Sequence, residues 1–455
     1  MRTWIIVVGT AAAFAWLVLR RRAAAEAAKA EVKVAKAEEV AATSNKAKAE
    51  DEEETPLLRV VESDGSGRCL VANRAIAAGT IMFRERPLLK TARATDDLEE
   101  QTEMRLRAFC EASKEVQQKV LTHFYAPFEE LNASTLPNHI KMRELLQMAE
   151  PLASEPWARA HSVDTLKRVL LACFLNSHSF EEGTSAIFER GCLCNHSCGA
   201  NAEYDAREGE LYHVALRPIA AGEAITTNYL GSDATVAAPM RQAILLFGKL
   251  FRCACSRCTG PDLVRVMPCI LCHPRPLAYP MEAGASCSYV VPYRKTVAAA
   301  DEPKAASARP APVEWRCETC NQQWSDRQLQ ALSAGIGGKY STGGEFALSG
   351  AVYRHVREWL ARPLDDFDAA RLQDDRRRFL ATRRAVGNRH WATAHMAKLI
   401  ANTLRRALAT GDEALLERLG VSSDEAAAEV AALSSLCRRF CDEASVPHRG
   451  WLLDQ

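Results

Sequence analysis

Between Arg190 and Cys258 the chain concentrates residue types that do chemistry rather than pack. A polar turn, Asn195-His196-Ser197-Cys198, precedes Gly222-Glu223-Ala224-Ile225-Thr226-Thr227-Asn228-Tyr229, and Cys253-x-Cys255-x-x-Cys258 closes the stretch. Three thiolates in one tight turn suit zinc, which takes four ligands in structural sites and so needs one more. Cys198 is the natural fourth ligand, and Cys192 and Cys194 are the alternatives. A site closed by four cysteines leaves no coordination position open for catalysis, so its expected role is to shape a pocket. Cys269-x-x-Cys272 and Cys317-x-x-Cys320 repeat the zinc pattern across an interval of 45 residues, which fits if the interval loops out. In a secreted chain such cysteines would read as disulfides, whereas short C-x-x-C pairs point to metal in a reducing compartment.

The elements that must position these residues can be read from the rest of the chain. At 455 residues it exceeds one ordinary core, so two or three globular units are expected. The formal net charge of +1 argues against a large basic field, and no nucleic-acid partner is expected. Thr3 to Leu19 is an uncharged, mostly apolar run followed at once by Arg20-Arg21-Arg22. A signal peptide carries its charge before the apolar run, so an uncleaved membrane anchor over residues 1–22 is expected. The positive-inside rule then places the bulk of the chain in the cytoplasm. Residues 23–56 form an Ala/Lys/Glu stalk with nothing to bury. From Leu57 short strands alternate with turns, as at Leu58-Arg59-Val60-Val61 and Ile81-Met82-Phe83, and residues 91–167 carry helical spacing. His123 and His178 read as ordinary surface or packed histidines. A Pro- and Ala-rich loop covers residues 298–311, and apolar periodicity from Tyr353 to Cys441 predicts a separate helical domain.

Taken in order, several blocks resemble a SET-domain protein lysine methyltransferase of the SET–MYND type. They are Gly65-Ser66-Gly67-Arg68, Ile76 to Thr80, Asn176 to Phe180, Asn195-His196-Ser197-Cys198, Ala215 to Ile219 and Gly222 to Thr226. Arg241, Leu245 and Phe251 ahead of the cysteine triplet are similar to the family's post-SET tail. Two departures are mild: Ala200 stands where the family usually has proline, and Ala224 where a second acidic residue is common. A third is larger. Cys110 is the one cysteine between Met82 and Leu171, so no MYND zinc finger is recognisable.

The resemblance implies an α+β fold: a β-rich SET domain with a helical insert, a cysteine-rich zinc post-SET region, and a C-terminal all-helical, TPR-like domain. The expected division is SET and post-SET at 57–260, the second zinc motif at 261–345, and the helical domain at 346–455. The implied activity is S-adenosylmethionine-dependent protein-lysine N-methylation; the apolar run Thr3–Leu19 adds a membrane tether, and with it the expectation of a non-histone protein target. The alternative is a non-catalytic SET-like and zinc scaffold that binds protein partners at a membrane. Tyr229 would be the catalytic tyrosine. Gly65, Gly67, Arg68, Asn176, Asn195, His196, Tyr229 and Phe251 would surround the cofactor. Zinc would be held by Cys198, Cys253, Cys255 and Cys258, and by Cys269, Cys272, Cys317 and Cys320. A protein partner is also expected on the C-terminal helical domain.

Overall fold

The computed structural model describes residues 56–63, 67–90, 97–181, 184–269, 271–272, 289–294, 313–335, 338–341, 343–360, 362, 366–444 and 446. The expected anchor, the stalk up to residue 55, Gly65 and the loop at 298–311 lie outside the described residues. Among the described residues no helix is long and apolar enough to cross a membrane. The chain divides into two compact units, residues 1–229 with 243–252, and residues 230–242 with 253–455.

The first unit mixes short strands with helices. β1 (Leu58–Ser63) and β2 (Gly67–Ala72) pair antiparallel, Leu58 opposite Ala72. Cys69, Leu70, Val71 and Ala72 are all buried, because the far edge of β2 also pairs, through Ile225 N–H to the Leu70 carbonyl at 2.8 Å. β3 (Ile81–Glu85), β8 (Ala202–Arg207) and β9 (Glu210–Ala215) form an antiparallel sheet in the order β3-β9-β8. The turn between β8 and β9 is Glu208-Gly209, with φ of 55° and 77°, the twist a two-residue hairpin requires. β4 (Leu89–Lys90), β5 (His178–Ser179) and β6 (Ser185–Ile187) make a second small sheet. β7 (Asn195–His196) runs parallel to β10 (Thr226–Thr227), Asn195 opposite Thr226.

Helices α1 (Leu98–Glu111), α2 (Lys114–His123), α3 (Phe128–Ala133), α4 (Pro137–Leu146) and α5 (Val163–Asn176) complete this unit. Asp97, Ser113 and Ser162 cap α1, α2 and α5, accepting N–H groups that would otherwise be orphaned. α5 buries Leu166, Val169 to Cys173, and Leu175, so it is a core helix against which α1 and α2 pack. Helical structure therefore continues through Asn176, past residue 167 where the insert was expected to end. An apolar run is consistent with helix or buried strand, and the unbroken turns from Val163 decide for helix.

In the second unit, α6 (Ala238–Gly248), which falls partly in each unit, is followed by the single turn α7 (Ser256–Thr259). β11 (Met267–Pro268), β12 (Tyr289–Arg294), β13 (Val313–Cys317) and β14 (Gln323–Ser325) form a four-stranded antiparallel sheet in chain order. Then come α8 (Asp326–Leu332), α9 (Glu345–Leu360), α10 (Ala369–Val386), α11 (Trp391–Thr410), α12 (Glu413–Leu419) and α13 (Ser423–Glu443). α11 is buried along most of its length, including Trp391, Met396, Ile400 and Leu404, and the helices around it form the expected C-terminal helical region. Buried Glu345 accepts from Arg265 at 2.6 Å, Gln330 at 2.9 Å and the His390 ring at 2.9 Å, so the buried carboxylate and guanidinium neutralise each other.

Candidate active site

Tyr229 directly follows β10, and the sequence spends several polar groups on fixing that strand. Gly222 takes a left-handed φ of 82°, turning the chain into it. Asn201, 1% exposed, donates to the Ala224 carbonyl at 2.8 Å and to Glu223 at 2.9 Å, and accepts from Thr226 N–H at 2.8 Å. Arg217 pairs with Glu223 at 2.6 Å, and this bond first, with donors from Ala220 and Asn201, holds the carboxyl down at about 2. Ser197 N–H reaches the Thr227 carbonyl at 3.1 Å. The loop is clamped at both ends before it reaches the tyrosine.

The tyrosine is then set by its own contacts. Its N–H donates to His196 Nδ1 at 3.1 Å, and its hydroxyl donates to the Cys194 carbonyl at 2.8 Å. Burial first, then the Cys194 and Cys192 thiols, raises its ionisation well above the ordinary phenol range. The phenol stays protonated and acts as a donor. Because His196 Nδ1 accepts, the ring proton sits on Nε2, which lies 3.3 Å from Cys198 Sγ. The His196 side chain is thus engaged in holding Tyr229 and Cys198. The His196, Tyr229 and Phe251 rings cluster, with centroids 5.3, 5.9 and 6.4 Å apart.

Of the other expected cofactor residues, Gly67 stands at φ +66° with open space where a side chain would be. Arg68 donates to the His123 carbonyl, and His123 itself is exposed. The Asn176 amide donates to the Tyr125 carbonyl at 2.9 Å and to the Ala172 carbonyl at 2.8 Å, so its NH₂ group is taken up by main chain. Asn195 lies on β7, opposite Thr226.

Three groups here went unread in the sequence. Asn201 is one, and its only signal is its place three residues past the NHSC turn. A second is His213, which stacks on Phe83 at 4.3 Å in a buried wall where His178, packed as the sequence reading allowed, sits edge-on to Tyr204 and Phe188. Burial first, then the Lys249 charge, pushes His178 down to about 4, and burial pushes His213 to about 3. Both rings are neutral, and among the described residues His178 Nδ1 and both His213 nitrogens are buried with no hydrogen-bond partner. Lys249 is the third. Its ammonium lies 5.5 Å from the Tyr229 ring centroid and donates to the Leu175 carbonyl at 2.7 Å and the Phe174 carbonyl at 3.3 Å.

The cysteines gather as two groups that could each hold a metal ion: Cys198, Cys253, Cys255 and Cys258, and Cys269, Cys272, Cys317 and Cys320. Within each group the four sulfurs lie within 4.8 Å of one another, and all eight are unbridged thiols. Four sulfurs bound tetrahedrally at about 2.3 Å from zinc stand about 3.8 Å apart. In the second group Cys269 and Cys320 are 3.8 Å apart, and Cys272 and Cys317 are 3.9 Å apart. Thr319 and Cys320 N–H groups, each at 3.4 Å, point at Cys317 Sγ, as suits a thiolate. Beside the Cys253–Cys258 triplet, fully buried Arg241 donates to the Val236 and Arg257 carbonyls and lies 3.6 Å from Asp262, bracing that turn.

The family model of the SET domain matches residues 67–230, and this segment is a SET domain. Over 87 residues, 19% of the chain, the protein is 33% identical to the SET domain-containing protein L678 of Acanthamoeba polyphaga mimivirus. The match spans about a third of that curated relative's length. Among solved structures, the SET domain of LSMT bound to lysine and AdoHcy is similar at 12% identity and a TM-score of 0.33, over 86% of this chain and 88% of that one. Rubisco LSMT bound to AdoMet is similar at 11% identity and a TM-score of 0.32, over 79% and 89%.

Proposed function

We propose that this protein is an S-adenosylmethionine-dependent protein-lysine N-methyltransferase with Tyr229 as its catalytic tyrosine. The observation that carries the reading is the Tyr229 hydroxyl, fixed on the Cys194 carbonyl at 2.8 Å by a clamped strand and a histidine. The residues present fit the cofactor. The open face at Gly67 admits close approach of a ligand to main chain, and Phe251 beside His196 offers a ring surface for a base. Asn195 and His196 would contribute chiefly through main chain, since the His196 ring is already engaged. Arg68 borders the same hairpin, and Asn176 has only its amide oxygen left to offer.

The cofactor supplies an activated methyl group. The chain's part is alignment: the Tyr229 hydroxyl and main-chain carbonyls orient a neutral lysine amine and favour the charge that develops on it. The neutral wall of His178 and His213 adds no positive charge that would repel an entering amine. Both cysteine groups are assigned structural zinc, a role their four-sulfur donor sets match. The apolar run Thr3–Leu19 supports a membrane tether with the catalytic part facing the cytoplasm, and a tether favours a non-histone protein target over chromatin.

Calorimetry with S-adenosylmethionine, paired with labelled methyl transfer to lysines of a cell extract by wild type and Tyr229→Phe, tests the reading. Saturable binding and Tyr229-dependent lysine labelling are expected. Binding without any such labelling would sink the enzyme reading, and absent binding would favour the scaffold.

A further inference from the structure

Lys249 is a lysine already inside the candidate site. It follows α6 directly, and the next residue, Leu250, is buried in the helical core with an unusual left-handed φ of 62°. That kink fixes where the Lys249 side chain leaves the backbone. Its amine then meets two acceptors, the carbonyls of Phe174 and Leu175 at the end of α5, beside the Tyr229 ring. Among the described residues no carboxylate pairs with it. Burial alone pushes its ammonium down to about 8.

The count of hydrogen-bonding groups matters. A neutral lysine amine has two N–H donors and one lone pair, whereas an ammonium has three donors and no lone pair. Two carbonyls satisfy the neutral form completely and leave its lone pair unused. The titratable groups facing it do not interfere: His178 is neutral at ordinary pH, and Tyr229 and Tyr204 are both held protonated by burial. With a pKa of about 8, half the Lys249 amine is neutral at pH 8, against under about 1% for a solvated lysine near 10.4.

We propose that Lys249 is itself a methyl acceptor, modified once at Nζ by S-adenosylmethionine bound to the same chain. The proposal rests on the cofactor reading above. The Nζ lone pair attacks the sulfonium methyl carbon, forming the C–N bond. The C–S bond breaks with its electron pair left on sulfur, which releases S-adenosylhomocysteine. The product is a secondary ammonium that still has two N–H groups for the two carbonyls, and it carries the positive charge that the sulfonium gave up. A second methyl would leave one carbonyl without a donor, so the reaction stops at monomethyl-lysine.

The test uses the full chain incubated with S-adenosylmethionine carrying a trideuterated methyl group, digested with chymotrypsin and read by mass spectrometry. The peptide containing Lys249 should gain one heavy methyl and no more, roughly ten times faster at pH 9 than at pH 7, as the neutral fraction dictates. Tyr229→Phe, checked for folding by circular dichroism, should slow the gain. A second readout needs no turnover: reductive dimethylation with formaldehyde and cyanoborohydride should label Lys249 less when S-adenosylhomocysteine is bound. Calorimetric cofactor binding with an unmodified Lys249 would overturn this proposal and leave the methyltransferase reading standing. No binding would remove both. Equal labelling in Tyr229→Phe, or di- and trimethylation, would overturn it as well.

Discussion

The Tyr229 hydroxyl gives its proton, secured by burial, to the Cys194 carbonyl, so Tyr229→Phe removes an aligning oxygen while the ring and main chain stay in place. Tyr229→Phe is expected to lower methyl transfer by about 10²–10³-fold, the usual cost of one positioned polar group, with S-adenosylmethionine affinity little changed by calorimetry. Glu223 gives a pH signature at the same scale. Its carboxyl is held at about 2, below the unfolded value of about 4.3, so its stabilising contribution is complete above about pH 4.3 and is lost as pH falls toward 2. Its side chain is 30% exposed, which screens the pair with Arg217 and keeps the contribution small. Glu223→Gln should therefore lose less stability than wild type across that window in an acid titration followed by circular dichroism. Superimposable acid limbs would count against the pairing.

The strands that deliver Tyr229 are two residues long, and strands this short do not hold themselves. Asn201 compensates with three bonds to the β10 approach, all made at a position almost closed to water. Asn201→Ala is expected to cost about 1–3 kcal/mol, because the part-buried Thr226 N–H and Ala224 carbonyl lose their partner. Urea unfolding measures it, and a cost below about 0.5 kcal/mol would mean water replaces the amide. Strands β1 and β3 were legible in the sequence at Leu58–Val61 and Ile81–Phe83, since alternation bounded by turn residues is local. The extent of α5 was not, because an apolar run carries no periodicity to separate helix from buried strand.

For the whole molecule, the eight clustered thiols predict two zinc ions per chain by elemental analysis after purification in reducing buffer. Chelation should lower the melting temperature, and Cys317→Ser should reduce the content to one. Inside the second unit, Glu345→Ala should destabilise by about 3 kcal/mol, since it takes the nearer carboxylate from buried Arg265, leaving Asp326 at 3.4 Å, and the acceptor from the buried His390 ring. Denaturant unfolding checks it, and Arg265→Met/Glu345→Leu together should recover much of the loss. The sequence showed no sign of this pair, whose partners stand 80 positions apart.

By itself the sequence determined the chemistry that spacing can encode. The cysteine triplet, the two C-x-x-C pairs, the NHSC turn, the glycine turn before Tyr229 and the helical C-terminal region are all local patterns, because a turn or a chelating pair is specified by neighbours in the chain. Only the tertiary structure decided what those residues face. It put the Tyr229 hydroxyl on a carbonyl 35 residues upstream, spent the His196 ring on positioning, and brought Lys249 beside the tyrosine from another element. Such juxtapositions depend on which faces the core buries, and burial is a property of the packed chain.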